Sequence, residues 1–207
     1  MTVERVVTHG VFSIDGEDFE VDNNIWIVGD DREVCVIDAA HDAAPIVDAV
    51  RGRAVRAILC THGHNDHVNV AVELARALDA PVALHPDDRM LWDAVHPDRA
   101  PELALTDGAR YGAGDVALVA MHTPGHAPGG VSFHDAAGGR VFAGDTLFKG
   151  GPGATGRSFS SFPTIIESIR ARLLTLPGDT VVHTGHGDDT TIGDEAPHVD
   201  EWLARGH

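Results

Sequence analysis

The residues most able to do chemistry lie in Thr61-His62-Gly63-His64-Asn65-Asp66-His67-Val68. Three imidazoles and one carboxylate fall within six positions, between an apolar run and a helix-like run. His62 and His64 are two apart, as are His64 and Asp66. In a tight loop alternate side chains point into one cavity, while the adjacent His67 turns elsewhere. Nitrogen and carboxylate donors of this kind suit Zn²⁺, Fe or Mn better than Ca²⁺, which prefers an all-oxygen shell. Four ligands so close in sequence do not easily wrap one tetrahedral ion. Two neighbouring metals are therefore expected, with further ligands supplied from elsewhere in the chain.

Candidates for those ligands stand just past other apolar runs. "HTPGHAPGG" places His126 on a Pro-Gly turn, "VFAGDTLF" places Asp145 after a strand, and "VVHTGHGDD" places His186 between two glycines. Gly125, Gly144, Gly185 and Gly187 allow sharp backbone turns beside them. One polar residue just beyond each strand end is how a rigid scaffold presents function on its loops. His122, His134 and His183 lie near these motifs and read as supporting or structural residues, with His183 the main rival to His186.

The elements that must hold these residues follow from periodicity and turn chemistry. Val3–Ile14 reads as a strand closed by the turn Asp15-Gly16. Asn24–Val28, Val34–Ile37, Val55–Cys60 and Pro81–Leu84 read as further strands, and Asp42–Val50, His67–Leu78 and Pro86–Val95 as helices. In the second half, Val116–Met121, Val131–Phe133, Arg140–Ala143 and Thr180–His183 read as strands. Thr164–Leu174 reads as a helix opened by a capping box, Thr164 to Glu167, and stopped at Pro177-Gly178. Pro197–Arg205 reads as a last helix with Gly206 as its stop. Two β-rich halves with interleaved helices imply two packed sheets with helices outside. No linker-like tract divides residues 1–207, so one domain is expected.

The composition sets limits. The chain has 207 residues, 43% hydrophobic and 23% charged, an ordinary globular balance. A formal net charge of -17 argues against a nucleic-acid backbone as partner. Cys35 and Cys60 sit in apolar runs and read as buried free thiols, which suits a reducing cytoplasm. No signal peptide is read at the N-terminus, and no run approaches the roughly 18 apolar residues of a membrane span.

Together, His62-x-His64-x-Asp66-His67, His126, Asp145 and His186 resemble the ligand motifs of the metallo-β-lactamase fold superfamily, in the family's order. "TPGHAPGGVSF", "GDTLFKGGPGATGR" and "GHGDDTTIGDEAPHVDEW" look most like short glyoxalase II-like thioester hydrolases. The resemblance implies an αββα sandwich of two mixed sheets with metals at one edge. It implies that His62, His64 and His126 hold one metal, Asp66, His67 and His186 the other, and that Asp145 bridges them together with a water or hydroxide. It implies two Zn²⁺ ions, with Fe or Mn possible at one or both sites, and hydrolysis of a small-molecule thioester by attack of the bridging hydroxide. Asp66 would orient that nucleophile and accept its proton.

The resemblance also carries substrate-binding roles to Arg157, across a short insertion, and to Phe159, where longer relatives have tyrosine. Lys149, the only lysine, is a further candidate because it follows Phe148 near the expected metal edge. There are departures from glyoxalase II. Asn69-Val70 stands where the family has glycines, and the chain stops soon after His186, short of the family's C-terminal helical region. The expectation is therefore a carrier thiol other than glutathione, such as mycothiol. Alternatives within the superfamily are a mononuclear iron persulfide dioxygenase, which would use residues matching His62, His126 and Asp145, and a lactonase. A β-lactamase fits less well, since many of those carry Cys at the position of Asp145. A non-enzymatic metal-binding protein fits least.

Overall fold

The computed structural model describes residues 2–206. The chain opens with β1 (Thr2–Ile14), β2 (Glu17–Gly29) and β3 (Glu33–Ile37), followed by α1 (Ala43–Val50) and β4 (Ala54–Leu59). The ligand loop leads into α2 (Asn65–Val68) and α3 (Ala71–Leu78). Then come β5 (Val82–Leu84), α4 (Arg89–Val95) and β6 (Leu103–Ala104). The second half runs β7 (Arg110–Ala113), β8 (Val116–His122), β9 (Val131–Asp135), β10 (Arg140–Gly144), β11 (Leu147–Phe148) and β12 (Gly151–Pro152). It closes with α5 (Phe162–Ser168), β13 (Val181–Thr184), β14 (Thr190–Thr191), α6 (Ile192–Glu195) and α7 (Val199–Arg205).

The strands form two six-stranded sheets, β1-β2-β3-β4-β5-β6 and β14-β13-β10-β9-β8-β7, plus the small β11-β12 pair. Both large sheets are mixed. β1 through β3 pair antiparallel and β3 through β6 parallel, while in the second sheet only β10 and β13 run parallel.

Alternation along the strands dictates the layering, because successive side chains leave opposite faces. In β2, Trp26 and Val28 face the second sheet, and Ile25 and Ile27 face the helices. β3 repeats this, with Cys35 and Ile37 inward and Val34 and Val36 outward. The central layer is completed from the other side by Leu118, Phe133 and Phe142. The outer face of the first sheet is covered by α1, α3 and α4 through Ile46, Leu74 and Trp92. That of the second sheet is covered by α5, the turn that continues it and α7, through Ile165, Ile169 and Trp202. The result is the expected four-layer αββα sandwich. Cys35 and Cys60 are buried free thiols, and burial pushes Cys35 up to about 12. No helix among the described residues is long and apolar enough to cross a membrane.

Several local expectations differ from what is observed. β2 begins at Glu17 rather than near Asn24. Its first half is acidic and mostly exposed, with only Phe19 and Val21 apolar, yet it pairs with β1 residue for residue from Ile14↔Glu17 onward. The short strand β7 was not expected, since Arg110–Ala113 includes a glycine and is largely exposed. The helix expected over His67–Leu78 is broken at Asn69 and Val70. There the backbone bonds elsewhere: His67 O accepts from Ala39 N at 2.9 Å, and Val70 N donates to Ala39 O at 3.2 Å. The start of the α5 helix is also earlier than the capping box implied. Ser161 is the N-cap, its side chain accepting from Thr164 N, and the helix continues into a wider turn over Ile169–Leu173. Before α7 a tight turn occupies Ala196–His198, and Gly206 ends the helix at φ 80° as anticipated.

Candidate metal centre

The ligand candidates converge where strands of both sheets end. His62, His64, Asp66 and His67 follow β4, His126 lies between β8 and β9, Asp145 follows β10 and His186 follows β13. His67 does not turn away, as the loop reading had it. The turn of α2 swings its ring back, 4.1 Å from that of His62. Asp66 and His67 are thus brought to the same centre as His62 and His64.

Two sets of donors result. His62, His64 and His126 have rings 4.7–4.9 Å apart and nearly perpendicular to one another, with His64 Nδ1 3.0 Å from His126 Nε2. In the second set, His67 Nε2 is 3.3 Å from His186 Nε2 and 3.5 Å from Asp66 Oδ2. His186 Nε2 is 3.4 Å from the same Asp66 oxygen. Asp145 stands between the sets: Oδ2 is 3.6 Å from His126 Nε2 and 3.3 Å from His186 Nε2, and Oδ1 is 3.4 Å from His67 Nε2. Ligand atoms bound at about 2.0–2.1 Å to a tetrahedral ion stand roughly 3.3–3.4 Å apart. The observed separations scatter around that figure.

The donor set fits a metal on a second count. His62 Nε2, Asp66 Oδ1 and Asp145 Oδ1 are buried without a hydrogen-bond partner, an arrangement costly in a protein interior unless something else binds them. The far nitrogens of four rings are already committed, which turns the near ones inward. His67 Nδ1 bonds Asp38 Oδ2 at 2.9 Å, His62 Nδ1 bonds Thr61 Oγ1 at 3.1 Å, His126 Nδ1 bonds Ala154 O at 2.8 Å, and His186 Nδ1 bonds Asp22 O at 2.7 Å. Such outer partners fix tautomer and ring orientation at metal sites.

The electrostatics divide the imidazoles. Burial, helped by the neighbouring imidazoles, pushes His62 well below the usual range and His64 down to about 3, so both are neutral donors. Burial also opposes charge on His67 and His186, but carboxylates overcome it. Asp145, Asp66 and Asp38 hold His67 well above its ordinary value, and Asp145 and Asp66 raise His186 to about 10. Burial would raise Asp66, yet the His67 charge and hydrogen bonds from His186 and Asn23 bring it down to about 2. In the metal-free protein the carboxylates thus favour the protonated forms of His67 and His186.

Glycines make room. A Cβ on Gly185 would lie 2.1 Å from Asp145 Oδ1 and 2.9 Å from His67 Cε1. Gly144 has φ 51° and backs onto Thr61, a backbone state that side chains disfavour.

Three residues that support the site were not singled out from the sequence. Asp38, also left-handed at φ 65°, accepts from Thr61 N at 2.7 Å, Thr61 Oγ1 at 2.9 Å and His67. It follows β3 directly, so the strand-end logic that found Asp145 would also have found it. Asn23 bonds Asp66 Oδ2 at 3.1 Å and His41 at 2.8 Å. Asp88 is fully buried and ties the two ligand loops together, accepting from Gly63 N at 2.8 Å and Gly129 N at 2.6 Å. Neither carries a local signal.

The remaining candidates fall into place as follows. His183 is sandwiched between Trp26 and Phe142 and bonds Asp189, away from the cluster. His122 stacks on His85 and bonds Pro128 O, bracing the loop that carries His126. His134 lies on β9 outside the cluster. Lys149 is exposed and paired with Asp188 at 3.3 Å. Arg157 is paired with Glu17 and lies over the Phe19 ring. Phe159 borders a cleft of about 260 Å³ that His64 also lines.

A four-layer sandwich with seven donors at one edge of both sheets defines a class: the chain belongs to the metallo-β-lactamase superfamily, whose family model matches residues 19–186. Among its relatives is the hydroxyacylglutathione hydrolase GloC of Haemophilus influenzae, 31% identical, the match covering 83% of this chain and 87% of that protein. The probable metallo-hydrolase YqgX of Bacillus subtilis is 33% identical over 82% of this chain and 87% of its own. Among solved structures, TTHA1623 in a di-iron-bound form superposes with a TM-score of 0.77 at 34% identity, covering 85% of this chain and 93% of that one. The BLEG-1 B3 metallo-β-lactamase gives 0.78 at 26% identity, covering 92% and 97%.

Proposed function

We propose that this protein is a binuclear metal-dependent hydrolase that cleaves the thioester of a low-molecular-weight thiol. The observation that carries the reading is the pair of donor sets, His62, His64 and His126 and Asp66, His67 and His186, that meet at Asp145. His62, His64 and His126 would hold one ion, Asp66, His67 and His186 the other, with Asp145 facing both. Zinc suits these nitrogen and carboxylate donors, and the di-iron form of TTHA1623 keeps iron in view. Bound there, such ions supply a water of near-neutral pKa and polarise a carbonyl.

The chain's own residues do the rest. Asp38, Thr61, Ala154 O and Asp22 O hold the rings so that the inward nitrogens carry lone pairs. Asp66, whose Oδ1 has no hydrogen-bond partner, would orient a nucleophilic water and accept its proton. A thiolate leaving group has a pKa near ~8.5, so departure needs no separate general acid. Hydroxyacylglutathione hydrolases among the relatives support a thioester as substrate. The two buried, unpaired cysteines suit a cytoplasmic setting.

Metal content measured beside a panel of thioesters, lactones and persulfides tests the reading. Two ions per chain and thioester turnover, abolished in Asp145→Asn, are expected. One iron per chain with oxygen consumed on a persulfide would overturn it in favour of a dioxygenase, and turnover confined to lactones would replace thioester with lactone.

A further inference from the structure

Beside the metal centre, the cleft at His64 has a composition of its own. Its walls are Ile14 at the end of β1 and Leu91 and Val95 on α4, and Phe159 hangs over it. His64 is among the residues that line it, so a group lodged there adjoins a metal-ligand candidate. Apart from His64, the one ionisable side chain lining the cleft is acidic, Asp15. At about 260 Å³ it holds a fragment rather than a whole cofactor-sized ligand.

The cleft is built rather than incidental. Asn65, next to His64, clamps the end of β1 by accepting from Ser13 N and donating to Val11 O, both at 2.9 Å. The opposite rim is latched to the β1–β2 turn. Ser158 donates from Oγ to Asp15 Oδ1 at 2.6 Å and from N to Oδ2 at 3.1 Å. Ser160 Oγ folds the loop by accepting from Gly156 N and Arg157 N. These bonds hold Phe159 at φ 67°, a left-handed conformation that bulky side chains rarely adopt, with 58% of its surface exposed. The left-handed backbone costs about 1–3 kcal/mol and the exposed ring gains little from burial, so neither is explained by stability at the mouth of the site.

No lysine or arginine among the described residues lines the cleft to receive a carboxylate. Arg157 is held by Glu17 and Phe19, and Lys149 by Asp188. An anionic carrier seated at the cleft would place its charge near Asp15, in a chain of net charge -17.

We infer that the cleft beside His64 is a subsite for an uncharged, apolar acyl group, and that the site selects thioesters of uncharged carriers over those bearing carboxylates. The inference rests on the thioester-hydrolase reading for the identity of that group as acyl. The test begins with thioethers, which cannot be hydrolysed. Binding of S-hexyl-N-acetylcysteamine, S-butyl-N-acetylcysteamine and S-hexylglutathione to zinc-loaded protein is measured by titration calorimetry. The neutral hexyl ligand should bind at least tenfold tighter than S-hexylglutathione, and each methylene lost should weaken binding about fourfold. Ala94→Glu, on the exposed face of α4 at the cleft, should weaken the hexyl ligand without altering zinc content. Asp15→Asn keeps an acceptor for Ser158 and should narrow the gap between neutral and anionic ligands. Equal binding of the two hexyl ligands, or of butyl and hexyl, overturns the inference. Hydrolysis of the matching S-hexanoyl thioesters is assayed separately. Selective binding with no thioester cleaved supports the cleft and overturns the hydrolase reading, whereas cleavage without preference overturns the cleft alone.

Discussion

Asp38→Asn is the most informative single change outside the donor sets. The carboxylate is buried at 1% exposure and takes three hydrogen bonds, Thr61 N on Oδ1 and both Thr61 Oγ1 and His67 Nδ1 on Oδ2. Asparagine offers one acceptor oxygen and one NH₂. If the NH₂ replaces Oδ2, it meets His67 Nδ1–H; the imidazole must move or shift its proton to Nε2, where a metal needs the lone pair. If it replaces Oδ1, it faces Thr61 N–H and leaves a buried backbone donor unpaired, a cost of about 1–3 kcal/mol. The first arrangement damages metal binding directly, and outer-shell substitutions typically cost about 10–100-fold in metal affinity or activity. The second destabilises the strand end that carries the ligand loop, lowering Tm by about 2–4 °C per kcal/mol in a chain of this size. Chelator competition with Zn²⁺ and thermal unfolding of the metal-free protein measure the two. A loss of about 10–100-fold in zinc affinity, a Tm lower by several degrees, or both, is expected. Zinc affinity within threefold of the parent together with an unchanged Tm would refute the role given to Asp38.

Three further outcomes are expected. Gly185→Ala drives a methyl group into Asp145 and His67, so elemental analysis should find less metal bound while circular dichroism stays native. Asp88→Asn leaves Gly63 N or Gly129 N facing an NH₂; a loss of about 1–3 kcal/mol in denaturant unfolding is expected, with weaker zinc binding because both ligand loops are released. The third is a pH effect. His186 is raised from 6.5 to about 10 in the metal-free protein. Its contribution to stability is complete below pH 6.5 and lost as pH rises toward about 10. Metal-free protein should thus weaken over that window, and zinc uptake near pH 7 should release protons, measurable as buffer-dependent heats in calorimetry; heats independent of the buffer would count against it.

Much of this protein was legible without coordinates, for reasons that are local. His62, His64, Asp66 and His67 lie within six positions, so chain geometry brings them near one another, although it is the turn of α2 that aims His67 at the centre. Asp145 and His186 announce themselves by standing just past apolar strands, and the short apolar runs Ile25–Val28 and Val34–Ile37 mark buried strands before any sheet exists. What lay outside the sequence's reach depends on pairing at a distance. The first half of β2 is mostly polar and becomes a strand because β1 supplies its hydrogen bonds. The helix at His67 breaks because Ala39, far upstream, takes its backbone groups. Asp88 and Asn23 look like ordinary surface residues until folding buries them against the ligand loops. Lys149 and Arg157 show the converse: the sequence offers them only as candidates near the site, and the fold adds an ion pair to a carboxylate far along the chain, Asp188 and Glu17. Residue type and spacing determined the chemistry available to this chain. The tertiary structure decided which polar groups face one another, because burial and charge pairing are properties of neighbours brought together only when both sheets close.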